Sequence, residues 1–138
     1  MNEVYFYLTL SGVLTLLLWT PYIVARLFIW GPFTFLNNYP NNFPIDKPKQ
    51  PLWAERAQRA HLNMVETMPA FIAVVIGSSF LANNAESSIT TIATWCAVFF
   101  WARIAHAIVY ILGIPYLRTP VYLVSWFSIL AIAITALT

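Results

Sequence analysis

Long uncharged runs alternate along this chain with short stretches where prolines, asparagines and charges collect. Between Val4 and Ala25 lie about 22 residues without a charge, enough to cross a hydrocarbon layer about 30 Å thick at 1.5 Å per helical residue. Arg26 closes this run, and Trp19, Tyr22 and Trp30 suit the membrane interface. The pattern predicts a first span over about 4–30, kinked at Pro21, which lacks a backbone donor. After Gly31-Pro32 the density of proline and asparagine from Asn37 to Pro44, with Asp46, Lys47, Pro48, Lys49 and Pro51 behind it, predicts a long polar loop. A second span follows over about 54–82. At roughly 43 Å it outreaches the hydrocarbon, so its first two turns protrude. Asn83 to Ser88 read as a turn, with Ser87 or Ser88 as N-cap of the next helix. A third span covers about 88–112, Gly113-Ile114-Pro115 breaks it, and a fourth covers about 118–137.

The apolar spans carry polar stripes. At about 100° per residue, Arg56, Arg59, Asn63 and Glu66 fall in one quadrant of the second span; Arg103, His106 and Tyr110 share a face of the third, and Arg118, Tyr122 and Ser125 one of the fourth. Glu66 lies roughly 12 Å beyond Gln58 and Arg103 roughly 15 Å before Gly113. On antiparallel helices these depths match, and either charge alone in hydrocarbon would cost several kcal/mol, which predicts a Glu66–Arg103 ion pair. Such a pair reads more naturally as a structural clamp than as a reacting group. With Arg26 and Arg59, these residues form a set of cationic donors, phenols and one carboxylate near one membrane level, suited to an anion or zwitterion. The plainer alternative is arginines snorkelling to lipid phosphates.

Composition agrees with the pattern. Of 138 residues, 60% are hydrophobic and 9% charged, against roughly 25% charged in an ordinary soluble domain. We read an all-α integral membrane protein, a four-helix transmembrane bundle forming a single domain over 1–138, with the lipid bilayer as its first partner. A formal charge of +2 with no basic, aromatic-interleaved run excludes a nucleic-acid partner. Lys47, Lys49 and Arg118 lie in the first and third loops, and the second has no cation. The positive-inside rule then makes those two loops cytoplasmic and puts both termini on the other side, in the inner membrane if the source is bacterial. Glu3 stands where a signal peptide has a basic region, so the first span is retained. Cys96, the one cysteine, reads as a buried structural thiol. His61 and His106 lie on different spans, and His61, off the polar stripe, reads as an interface or helix-contact residue. No metal site, phosphate loop or serine nucleophile is indicated.

The stretch from Glu55 to Phe71, an arginine pair followed by Asn63, Glu66 and Pro69, resembles the signature of the MAPEG family, the membrane-associated proteins in eicosanoid and glutathione metabolism. Arg103-Ile104-Ala105-His106 with Tyr110, then Arg118-Thr119, resembles that family's third and fourth spans, especially in its bacterial-type members and its microsomal glutathione transferases and prostaglandin E synthases. The resemblance covers nearly the whole chain. It implies a homotrimer with glutathione as cofactor, bound between subunits. Arg26, Arg59, Asn63, Glu66, His106 and Tyr110 fall at glutathione-contact positions. Arg118, Thr119 and Tyr122 fall at catalytic positions, with Arg118 where an arginine stabilises the thiolate. Leu62 stands where the prostaglandin synthases carry a further basic contact.

Two functions follow. One is a glutathione-dependent membrane transferase, with possible peroxidase or isomerase activity, acting on a small hydrophobic electrophile as its substrate and partner. The alternative is a non-catalytic trimeric membrane protein binding lipid or a partner protein, its polar stripes locking helices together.

Overall fold

The computed structural model describes residues 1–37, 49–82 and 86–138. Four helices account for nearly all of them: α1 (Asn2–Leu36), α2 (Leu52–Leu81), α3 (Glu86–Leu112) and α4 (Arg118–Leu137). Each is long and apolar enough to cross a membrane, which fits a multi-pass membrane protein. The proline- and asparagine-rich segment 38–48, with Asp46 and Lys47, and the turn at 83–85 lie outside the described residues.

Helix α1 runs past the break expected at Gly31-Pro32. Gly31 leaves helical geometry at φ 74° and ψ 160°, a conformation essentially reserved for glycine. Pro32 follows as the first residue of a new turn, where a missing N–H costs nothing. The kink therefore lies at Gly31, while Pro21 sits inside helical backbone. Helix α3 begins at Glu86, so Ser87 and Ser88 occupy its first turn rather than capping it, and the Ser87 carbonyl accepts from Thr91 Oγ1 at 2.9 Å.

Successive helices run antiparallel, as the cross-contacts record. Tyr22 and Arg26 of α1 meet His61 and Gln58 of α2. Phe71 of α2 stacks on Phe99 of α3, with centroids 3.8 Å apart and planes 11° apart. Arg103 of α3 reaches Ser125 of α4. Helices α2 and α3 touch each other and both remaining helices, whereas α1 and α4 do not meet. The bundle is thus a rhomb with α2 and α3 on its short diagonal. Its main core, including Val4, Met64, Phe71, Val75, Cys96, Phe99 and Ile132, fills the half nearer the N-terminus, and Cys96 is fully buried there. Lipid tails are as apolar as these side chains, so close packing rather than transfer from water holds the helices together. Large apolar residues such as Leu16, Phe28, Phe80 and Trp101 face outward. Helical hydroxyls, including Ser11, Thr15 and Ser128, donate to the carbonyl one turn back, as a medium without water requires.

The α3–α4 corner is the tightest part of the fold. Gly113 N–H donates to the Tyr110 carbonyl at 3.1 Å and Ile114 N–H to the Val109 carbonyl at 3.0 Å, the paired bonds of a Schellman cap with glycine in the left-handed region at φ 70°. Three residues on, Tyr116 also has positive φ, 66°, where Leu117 N–H turns back to the Pro115 carbonyl at 2.8 Å. A tyrosine held this way stores of order 1–3 kcal/mol of backbone strain.

Candidate functional site

The antiparallel arrangement carries Arg26 of α1 and the polar stripes of α2, α3 and α4 to one end of the bundle: the C-terminal halves of α1 and α3 and the N-terminal halves of α2 and α4. Three connected layers result.

The deepest centres on Arg103, fully buried at 1% exposure. Its Nη2 donates to Asn63 Oδ1 at 3.0 Å, Nε to Met64 Sδ at 3.1 Å and Nη1 to Ser125 Oγ at 3.4 Å. The Ser125 hydroxyl in turn donates to the Tyr122 carbonyl at 2.7 Å, and the guanidinium faces the Tyr122 ring at 5.7 Å. The expected Glu66–Arg103 ion pair is not formed. Asn63, about 60° away round α2 and one turn earlier, takes the donor facing that helix, while Glu66 turns toward the α2–α4 groove.

The middle layer is aromatic. His106, 2% exposed, lies between Tyr110, with ring centroids 5.5 Å apart, and Tyr122, at 5.9 Å. The Arg118 guanidinium sits over the Tyr110 ring at 5.0 Å. A row Arg118, Tyr110, His106, Tyr122 therefore runs from the mouth inward and ends at Arg103.

Two openings flank this row. Toward the membrane boundary is a polar cavity of about 530 Å³ lined by Arg56, Arg59, Arg118, Glu55, Tyr110, Tyr116 and Thr119, floored by Gly113 and its neighbours. Among its described lining residues three guanidinium groups stand against one carboxylate, Glu55, so this lining is net positive. The N-termini of α2 and α4 border it and add to the positive potential. Toward the lipid is an apolar groove of about 370 Å³ between α2 and α4, lined by Val74, Trp126, Ile129, Leu130 and neighbours, with Glu66, Thr67 and Tyr122 among its polar residues.

Arg59, Tyr110, Arg118 and Thr119 thus gather in the cavity, while Asn63, His106 and Tyr122 form the wall behind it and Glu66 faces the groove. Arg26 stands apart on α1: its Nη2 donates to Gln58 Oε1 at 2.8 Å, it faces the rings of Tyr22 at 5.2 Å and Trp30 at 5.4 Å, and its Nε is buried without a hydrogen-bond partner among the described residues. His61 joins α1 to α2 through Tyr22 Oη, 3.0 Å from its Nδ1. Sequence reasoning gave no role to Glu55, Gln58, Gly113 or Tyr116. Glu55 and Gln58 flank residues of the polar stripe and could have been read with it. In the sequence Gly113 reads only as a helix breaker, and nothing there indicates that a side chain of α2 packs on it.

Four apolar helices fit a multi-pass membrane protein, and its candidate site lies at one end of the bundle. The chain matches the model of the MAPEG family over residues 4–138, and it belongs to that family. Compared with individual curated proteins it gives no match.

Proposed function

We propose that this chain is the protomer of a homotrimeric, glutathione-dependent membrane transferase acting on small hydrophobic electrophiles, with peroxidase or isomerase turnover as variants of the same thiol chemistry. The observation that carries the reading is a polar, arginine-rich cavity separated only by His106 and two tyrosines from an apolar groove open to lipid. Such a pair of openings suits two reactants of opposite polarity. Glutathione presents two carboxylates, one ammonium and one thiol, and the cavity offers three guanidinium groups, one carboxylate and two phenols in a volume ordinary for a small-molecule site. The donor set fits.

Glutathione, when bound, supplies the sulfur that bonds to an electrophilic carbon as that carbon's leaving group departs. Arg118, ordered over Tyr110, favours the deprotonated thiol: a free thiol with pKa about 8.5 is only a few per cent thiolate at pH 7, and an adjacent guanidinium raises that fraction. Thr119 offers a hydroxyl beside Arg118 in the cavity, and Tyr122 offers one a turn further along α4, against His106. Arg59 holds a carboxylate, Asn63 and His106 fix the inner wall, Glu66 borders the groove, and Arg26 would complete the site from a neighbouring subunit. Rate comes from thiolate stabilisation and from holding the two reactants together. The membrane sidedness that goes with this reading has the cavity on the cytoplasmic face and both termini opposite, since Lys49, Arg56, Arg59 and Arg118 all lie at the cavity end.

The test is transferase activity toward a generic hydrophobic electrophile from pH 6 to 9. Arg118→Ala should shift the pH–rate profile alkaline toward about 8.5 with a smaller change in KM, whereas Arg59→Ala should mainly raise KM. An unshifted profile with intact rate would remove Arg118 from the mechanism. One observation favours a non-catalytic reading instead: Arg103, Asn63, Met64 and Ser125 satisfy one another as a closed clamp between three helices. A wild-type protein that binds no glutathione would decide for that reading.

A further inference from the structure

We infer that the outer rim of the polar cavity is a binding site for an anionic phospholipid, its phosphate on Arg56 and its glycerol and upper acyl carbons on Leu52, Ile114 and Tyr116. Two features of this rim have no part in the glutathione reading. Arg56 falls at none of the glutathione-contact positions, and the lip of a cationic cavity is apolar.

Helix α2 has 30 residues, about 45 Å at 1.5 Å per residue against a hydrocarbon layer about 30 Å thick, so its first turns stand at the level of lipid headgroups. Arg56 lies in them, about 4.5 Å nearer the start of the helix than Arg59. Its guanidinium packs directly on Gly113, where a Cβ would collide with both Nη atoms and Cζ, and φ 70° at that residue favours glycine independently. The cation is thereby set against the α3–α4 corner, next to Ile114. Arg118, by contrast, is directed at the Tyr110 ring.

Leu52, Ile114 and Tyr116 line the same cavity and are exposed, Tyr116 at 92%. The positive φ of Tyr116, uncommon for a tyrosine, carries that ring outward where an aromatic with a polar tip suits the headgroup layer. A peptide polar along its whole length gains little from three large apolar side chains at the mouth. A phospholipid, an anionic phosphate joined to apolar chains, complements both parts of the rim. Three guanidinium groups against one carboxylate in the lining favour a lipid of net negative charge over a zwitterionic one.

The experiment titrates the full chain in detergent with short-chain phosphatidylglycerol, short-chain phosphatidylcholine and glycerophosphoglycerol, the deacylated headgroup of the first, with bound copies counted by native mass spectrometry. Phosphatidylglycerol should bind about tenfold tighter than either of the others, the worth of one charged contact. Arg56→Ala should bring it to the level of phosphatidylcholine, and Arg56→Lys should keep most of the preference, since a point charge still binds phosphate. Tyr116→Ser should weaken both lipids and leave the deacylated headgroup unchanged. In the wild type, raised salt should erase the preference between the two lipids, as expected for charges at the membrane surface. Equal binding of the two lipids, a preference that survives Arg56→Ala or high salt, or glycerophosphoglycerol binding as tightly as the lipid would each overturn the assignment, the last by making the rim a site for free phosphate esters.

Discussion

At the scale of the residue, a guanidinium deep in a membrane bundle is tolerated only where its N–H groups are met. Arg103 meets that condition with neutral acceptors: an amide oxygen, a thioether and a hydroxyl. The thioether is a weak acceptor and the hydroxyl contact is long, so Asn63 carries most of the interaction between α2 and α3 at this level. Removing either Asn63 or Arg103 should lower thermal stability, and the double change Asn63→Ala with Arg103→Gln should recover about 1.5–3 kcal/mol of the summed loss, the range for a hydrogen bond to a charged group. Thermal unfolding in detergent measures this, and additive losses would show that the two do not couple. Matched depth along α2 and α3 pointed to the right two helices. It could not choose between Asn63 and Glu66, because they lie about 60° apart on α2 and a long arginine reaches across that arc. Which residue accepts depends on how α2 is rolled, and that is set by packing of residues such as Met64, Phe71 and Val75 against the core.

At the scale of the element, the existence of four helices was legible because uncharged runs of bilayer length have few alternatives. Their ends were less so. Helix α1 extends beyond the expected end of the first span near residue 30 because Gly31 absorbs the turn in a conformation open to glycine alone and leaves Pro32 to start the next turn. The two positive-φ glycines make different demands. A Cβ at Gly31 would meet nothing within 4 Å, so Gly31→Ala is penalised by backbone conformation only, of order 1–3 kcal/mol. At Gly113 the same strain adds to the collision with Arg56. Unfolding should therefore show Gly113→Ala as the more destabilised of the two, and only Gly113→Ala should also disturb the cavity. If Gly31→Ala proved as stable as wild type, the kink would not be a requirement of the fold.

At the scale of the whole molecule, the protomer leaves one charge in an untenable place. Glu66 is exposed on the side of α2 that borders the groove beside Trp126, Ile129 and Leu130, roughly 12 Å from the start of the membrane-embedded part of the helix. A carboxylate turned to hydrocarbon there would cost about 3 kcal/mol or more. Sequence depth located this problem and answered it with Arg103, but the roll of α2 gives Arg103 to Asn63 and leaves Glu66 facing outward. Arg26 on the far side of the rhomb has the opposite surplus, a cation whose buried Nε has no hydrogen-bond partner among the described residues, and α1 and α4 never meet within one chain. Copies arranged so that α1 of one lies against the α2–α4 groove of the next would cover the groove and take Glu66 out of contact with lipid, with Arg26 about 12 Å nearer the mouth, level with Gln58, and a closed ring of three repeats the contact without leaving a free face. Light scattering or native mass spectrometry of the detergent-solubilised protein should then give three times the 15.7 kDa chain mass. Glu66→Gln should weaken that assembly on dilution more than it lowers the helix content of the protomer. A protein that runs as a single copy at micromolar concentration would remove the ring and require Glu66 to be met by water or lipid headgroups drawn down the groove instead.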